Sequence, residues 1–255
     1  MIKQAQKEDT EQIKRLWRKT FTDSEEKINI FLKNYLDNIL VLKIDRKIAG
    51  MVSVLPLLSH GQNGGYIYAE AAEDKELYPR LSEYAYKHIR ANGGCFAVAA
   101  PKSAEDRDLY KSLKYSELYA AGTFEYDNVG FPGKDTEIGK IPPEKLFEKR
   151  HEFFEGRNFI EWDLKEIEYA WRIYGGNFFE IAENGNKSYA VCRFSEGMLD
   201  IKELFGTVDT GESLAALGNL FNAAHIRAAI QSDKYSSAVV YPKKYKNHYF
   251  NIAID

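Results

Sequence analysis

Cysteine and methionine are scarce in this chain of 255 residues, at two and three. Cys95 and Cys192 each sit in an apolar, strand-like run, which reads as buried free thiols in a reducing cytoplasm and not as a disulfide framework. The five histidines are scattered and, with two cysteines, show no metal-ligand spacing, so no metal is expected. No apolar run approaches the roughly 20 residues of a membrane span. The first residues, MIKQAQKEDTEQIK, are polar from the start, unlike a secretory signal. An excess of one charge is missing too: a net charge of -3 exerts no pull on nucleic acid or an anionic membrane. A cytoplasmic protein without nucleic-acid or membrane partners is the expectation; a homodimer stays open. No Ser-His-Asp set, nucleotide P-loop or usefully spaced carboxylate dyad emerges, which leaves hydrolase and kinase readings without support.

What is present is ordinary for a soluble globular protein: hydrophobic residues at 44% and charged residues at 29%. The length suits one large domain or two modest ones. Aromatics are plentiful, with 17 Tyr and 15 Phe, favouring sheet packing and ring-walled pockets.

IKQA (2–5) predicts a short strand. Asp9 with Gln12 resembles a capping box ahead of a helix carrying Ile13, Leu16, Trp17, Thr20 and Phe21. Asp23 or Ser24 caps a second helix, and Asp45-Arg46 joins two strands, 39–44 and 47–58, in a tight hairpin. HGQNGG (60–65) reads as a turn, leaving YIYAEAA (66–72) as a strand. Pro79 places the next helix start near Tyr78, and Asn92-Gly93-Gly94 ends it. CFAVAA (95–100) reads as a buried strand with a parallel neighbour, followed by a short helix capped by Ser103 and Asp106. Residues 127–145 hold Gly and Pro without periodicity and mark a linker. Beyond it a helix opens at Asp163, then a three-strand meander, a helix at 211–221 and a final strand, HYFNIAID (248–255). The fold class expected is α/β with a mixed sheet, and the second half repeats the pattern of the first.

The first half resembles the GNAT (Gcn5-related N-acetyltransferase) superfamily. IKQAQKEDTEQIKRLWRKTF looks like that family's opening strand and helix, and IDRKIAGMVSVLPL like its second and third strands with a D-x-K-I-x-G hairpin. YIYAEAA resembles its fourth strand, and DLYKSLKY (108–115) the helix after strand five. The match runs from residue 2 to about 127 with the elements in order. It implies a GNAT domain at 1–127, a linker at 128–143 and a second, degenerate GNAT-like domain at 144–255. It also implies acetyl-CoA as co-substrate, an N-acetyltransferase activity and a small-molecule or peptide amine as acceptor. A non-catalytic binding protein of the same fold is the alternative.

By the same resemblance Tyr110 is the candidate acid, with a core aromatic as its bland alternative, and Glu70 the candidate base. A carboxylate inside an apolar strand needs solvent, a partner or a cavity; plain solvent exposure is the alternative for Glu70. The coenzyme would lie along Ala71 and Ala72, with Tyr78, Arg80 and Leu81 at the diphosphate turn. A basic cluster of Lys102, Arg107, Lys111 and Lys114 could meet the 3′-phosphate, or be a solvated helix face. Tyr66, Tyr68, Tyr84 and Tyr86 are candidates for an acceptor pocket. The family's glycine-rich phosphate turn is missing. EDKELYPRL (73–81) has no glycine, removes an N–H donor at Pro79, and sets Glu73, Asp74 and Glu76 where an anion should sit.

Overall fold

The computed structural model describes residues 2–101, 103–127, 136–246 and 248–250, with the side chains of 119–121 and 231–237 left out. The chain folds as two compact units, Met1–Glu117 with Ala238–Lys246, and Leu118–Ser237 with Asn247–Asp255. The division is not the sequential one expected at 127 and 144. Val239, Val240 and Tyr241 return to pair antiparallel with Ala99, Val98 and Ala97 and so belong to the first unit.

The first unit runs β1 (Ile2–Gln4), α1 (Thr10–Thr20), α2 (Glu25–Tyr35), β2 (Ile39–Ile44), β3 (Lys47–Ser59), β4 (Gln62–Ala72), α3 (Tyr78–Ala91), β5 (Phe96–Ala99) and α4 (Ala104–Ser112). β1 to β4 pair antiparallel in sequence, and β5 pairs parallel to β4, with α3 as the crossover that parallel neighbours require. The Ser24 hydroxyl accepts the Lys27 N–H at 3.2 Å and the Ser103 hydroxyl the Asp106 N–H at 3.0 Å, so both predicted caps are in place. Asp45 and Arg46 take φ of 48° and 64°, the left-handed pair a two-residue hairpin demands. Asp9 closes its capping box with the Gln6 N–H at 3.1 Å. The expected partner Gln12 instead accepts the Ile48 N–H at 3.0 Å and ties α1 to β3.

The predicted turn at 60–65 shrinks to His60-Gly61, because Gly64 and Gly65 lie within β4. Their absent side chains make room: a Cβ on Gly64 would sit 2.4 Å from the Phe96 ring, and one on Gly65 2.6 Å from Ile89. One sheet face packs Leu42, Val52 and Ile67 against Leu81, Ala85 and Ile89 of α3. On the other, Trp17 of α1 and Phe31 of α2 meet Tyr68, with ring centroids 6.3 and 5.3 Å away.

The remaining elements are β6 (Ser116–Asp127), β7 (Glu137–Lys140), α5 (Pro143–Phe154), α6 (Leu164–Ile173), β8 (Phe178–Glu183), β9 (Asn186–Ser195), β10 (Met198–Gly206), α7 (Thr210–Phe221) and β11 (His225–Tyr241). In the second unit β7 to β10 pair antiparallel in sequence, and residues 225–230 of β11 pair parallel to β10. An antiparallel meander, a helix and a parallel strand thus follow one another as in the first unit. β7 and α5 occupy part of the expected linker. Pro143 there opens a helix, where its fixed φ is an advantage. Of the expected last strand, Tyr249 makes a single parallel bridge to Phe159, while 251–255 lie outside the described residues. Trp171 is 39% exposed and lies over Gly176, whereas Trp17 and Trp162 are buried. Cys192 is fully buried; Cys95 is half-buried, and both are free. Among the described residues no helix is long and apolar enough to cross a membrane.

Candidate active site

The site begins with an extra residue in β4. Met51 of β3 faces Ala71 and Ser53 faces Tyr68, so one residue of β3 is matched by two of β4, and Ala69 takes a left-handed φ of 49°. Such a bulge reverses the alternation of faces beyond it. Tyr66 and Tyr68 point toward α1 and α2; without the bulge Glu70 would follow them. With it, Glu70 turns to the α3 and α4 side. There the Ser82 hydroxyl of α3 donates to its Oε1 at 2.7 Å and the Tyr110 hydroxyl of α4 to its Oε2 at 3.0 Å. Glu70 is neither on the sheet face of Tyr66 and Tyr68 nor openly solvated.

Burial pushes the Glu70 carboxyl up to about 7. Its two hydroxyl donors pull the other way, and the nearby Asp106 charge adds to the rise. Tyr110 is buried, with its ring 5.0 Å from Tyr115, and burial followed by the Glu70 charge holds its hydroxyl well above the ordinary phenol value. A carboxyl that exchanges its proton near neutrality therefore touches a phenol that keeps its own. Sequence reading selected Glu70 and Tyr110 and missed Ser82. The signal was present: Ser82, Ala85 and Ile89 form the buried stripe of α3, and a hydroxyl in an apolar stripe requires a partner.

Pairing between β4 and β5 spans only Gly64 to Ile67, opposite Phe96 to Ala99; β4 then runs on to Ala72, past the end of β5 and paired with β3 on its other edge. Glu70 lies in this overhang. The turn that follows is closed on itself. The Asp74 carboxylate accepts the Glu76 N–H at 3.0 Å, and the Asp74 carbonyl the Leu77 N–H at 3.1 Å. The Tyr78 N–H goes to the Lys75 carbonyl, and Pro79 has none. The Tyr78 hydroxyl bonds the Ala72 backbone, and burial raises its pKa. Glu73 turns away to Lys19 at 2.8 Å and Arg15 at 3.9 Å, and Lys75 pairs with Glu105 at 3.1 Å. The backbone donors from Glu76 to Tyr78 are thus committed within the turn itself.

The other sequence candidates are dispersed. Ala71 and Leu81 are buried in packing, and Arg80 is exposed. Lys111 and Arg107 both pair with Glu117, at 3.4 and 2.6 Å, so half of the basic cluster is an ion-pair network; Lys102 lies outside the described residues. Tyr84 is exposed, and Tyr86 stacks edge-on to Tyr241 at 4.8 Å. His88 is half-buried on α3, and burial lowers its pKa. Among the described residues no three His, Cys, Asp or Glu side chains form a group that could hold a metal.

A second cluster of buried charge lies in the second unit. Arg150 of α5 is hydrogen-bonded to Glu203 of β10, which also accepts the Tyr249 hydroxyl at 3.2 Å. Beside them is a water-sized cavity of about 10 Å³ that Glu166 also lines. Burial and then the neighbouring Asp163 push the Glu166 carboxyl up to about 9. Arg150, Glu166 and Glu203 were not singled out from the sequence.

No protein-family model matches the sequence, and no curated protein matches it. Solved structures do. A GCN5-related N-acetyltransferase from Anabaena variabilis superposes with a TM-score of 0.66 at 14% identity, covering 94% of this chain and 70% of that one. Another, from Kribbella flavida, gives 0.67 at 11% identity, with 94% and 70% covered. A probable N-acyltransferase from Enterococcus faecalis gives 0.68 at 12% identity, with 94% and 72% covered. The chain has the fold of the GCN5-related N-acetyltransferases, as its strand and helix order led us to expect.

Proposed function

We propose that the protein is an N-acyltransferase that moves an acyl group from a thioester, acetyl-CoA being the donor the fold implies, to the amine of a small molecule or peptide. The observation that carries this reading is Glu70, placed by the β4 bulge in the overhang beyond β5, with a carboxyl titrating near 7 and bonded to Tyr110 at 3.0 Å. In this scheme ionised Glu70 takes a proton from the attacking amine. The C–N bond forms, the C–S bond breaks, and the departing thiolate takes the Tyr110 proton. Glu70 then returns its proton to the tyrosinate it touches, which restores both groups. Burial keeps the phenol protonated until a thiolate needs it.

The test is thiol release from acetyl-CoA with a panel of amines. The wild-type kcat/KM should rise with pH through about 7 as Glu70 ionises, then level off. Glu70→Gln should lower it about 100-fold or more and remove that limb; a variant that keeps both rate and limb returns Glu70 to a structural role. The self-closed turn at 73–79 favours a second reading, a binding protein without coenzyme. Saturating acetyl-CoA at 100 times Kd adds about 2.7 kcal/mol of stability, so the absence of any thermal shift at millimolar acetyl-CoA would select that reading.

A further inference from the structure

The cavity beside the Arg150–Glu203 pair lies wholly within the second unit, and every residue that lines it is buried, Trp162 and Phe178 among them. Polar side chains from three elements reach it: Arg150 of α5, Glu166 of α6 and Glu203 of β10. Their hydrogen bonding is incomplete. Arg150 gives Nη1 to Glu203 Oε2, and Glu203 Oε1 accepts the Tyr249 hydroxyl. Arg150 Nη2 has no partner in the protein, and neither has either carboxyl oxygen of Glu166. Asp163 comes close enough to raise the Glu166 pKa without reaching hydrogen-bond geometry. Arg150 and Glu166 are 3% and 0% exposed, so bulk solvent does not serve these atoms. Buried polar groups are as a rule hydrogen-bonded, to protein or to an ordered water. A cavity of about 10 Å³ has room for one water, which needs two to four polar partners to stay; this cavity offers three. Charge decides the class of occupant. Arg150 and Glu203 offset each other, and burial keeps Glu166 protonated up to about 9. An ion of either sign would therefore enter a buried site with nothing left to balance it. A small neutral molecule that both accepts and donates suits the site.

We infer that this cavity is the binding site of a single ordered water, which accepts the Arg150 Nη2–H and the Glu166 O–H, donates to Glu203, and so joins α6 to the α5–β10 ion pair. The first test is a high-resolution crystal structure of the wild type at neutral pH, from crystals grown in sodium chloride and again in rubidium bromide. The expected result is a peak about 2.7–3.2 Å from Arg150 Nη2 and from one Glu166 oxygen, with no anomalous signal in rubidium bromide. Anomalous signal at that peak identifies an ion and overturns the inference. A direct Arg150–Glu166 contact that closes the cavity overturns it too, as does a cavity without density. The second test is water magnetic relaxation dispersion in solution on the wild type, Glu166→Leu and Glu166→Gln, each variant first shown to keep its cooperative melt. Glu166→Leu fills the site with methyl groups and should lose the amplitude of about one long-lived water. Glu166→Gln keeps a polar group in place and should retain it. An undiminished amplitude in Glu166→Leu, or an equal loss in Glu166→Gln, counts against a water held by these side chains.

Discussion

Each unit holds a strand glutamate against helices, half-buried for Glu70 and fully buried for Glu203, and the two are treated oppositely. Glu70 is met only by hydroxyls, from Ser82 and Tyr110. Neutral donors soften the cost of its charge without cancelling it, so its carboxyl is left near 7, able to change state at working pH. Glu203 is met by the guanidinium of Arg150 and the Tyr249 hydroxyl, with none of the three exposed. Burial opposes the Arg150 charge, but the facing carboxylate more than restores it and raises the guanidinium pKa above its ordinary value. A buried carboxylate with a cation is a fixed part of the structure; one with hydroxyls is a movable proton. By this contrast the first unit is where chemistry is to be sought.

The largest test of that contrast removes the cation. Arg150→Met leaves Glu203 buried and uncompensated, and should cost roughly 3–5 kcal/mol in denaturant unfolding. Arg150→Met with Glu203→Leu should recover most of the loss, since a well-packed apolar pair often matches a buried ion pair. If the double variant is as unstable as the single, packing around α5 and not charge pairing explains the site.

Glu166 sharpens the comparison, because it is a buried carboxyl with neither kind of support. Its folded pKa, about 9, lies above the unfolded value near 4.5. The folded chain therefore holds an extra proton between those values, and stability should fall as pH rises through that window. Glu166→Gln cannot ionise. It should be more stable than the wild type at pH 8, by several kcal/mol, and indistinguishable below pH 4. Unfolding curves at the two pH values measure this; a parallel loss at both would mean that the carboxyl serves only as a shape.

Much of the frame was readable because its signals are local. Ser24, Ser103 and Asp163 each cap the predicted helix, and Asp45-Arg46 makes the predicted hairpin. Glu70 could be chosen because a carboxylate is unusual inside an apolar strand, and Tyr110 because its segment, DLYKSLKY, resembles a family motif. Their contact could not be foreseen. It depends on a bulge at Ala69, and alanine gives no warning of a left-handed φ, as a glycine would have. Gly64 and Gly65 misled in the opposite direction: glycines that suggested a turn serve the close approach of Phe96 and Ile89. β11 escaped because HIRAAIQSDKYSSAVVY has no sustained alternation, and one of its pairing partners, β5, is distant in sequence.

The smallest expected effect concerns Ser82, which touches Glu70 but is not expected to meet substrate. Its hydroxyl donates to the carboxylate and so favours the ionised form. Ser82→Ala should then raise the Glu70 pKa, by roughly half a unit to one unit if the bond is worth about 1 kcal/mol. The ascending limb of kcat/KM should move to higher pH by that amount while its plateau, where Glu70 is ionised in both proteins, changes little. Ser82→Thr keeps the donor and should restore the limb if the extra methyl is accommodated. A purely structural serine would instead lower the whole profile without moving it. The two outcomes separate a hydroxyl that tunes a proton from one that only fills the stripe between Leu81 and Ala85.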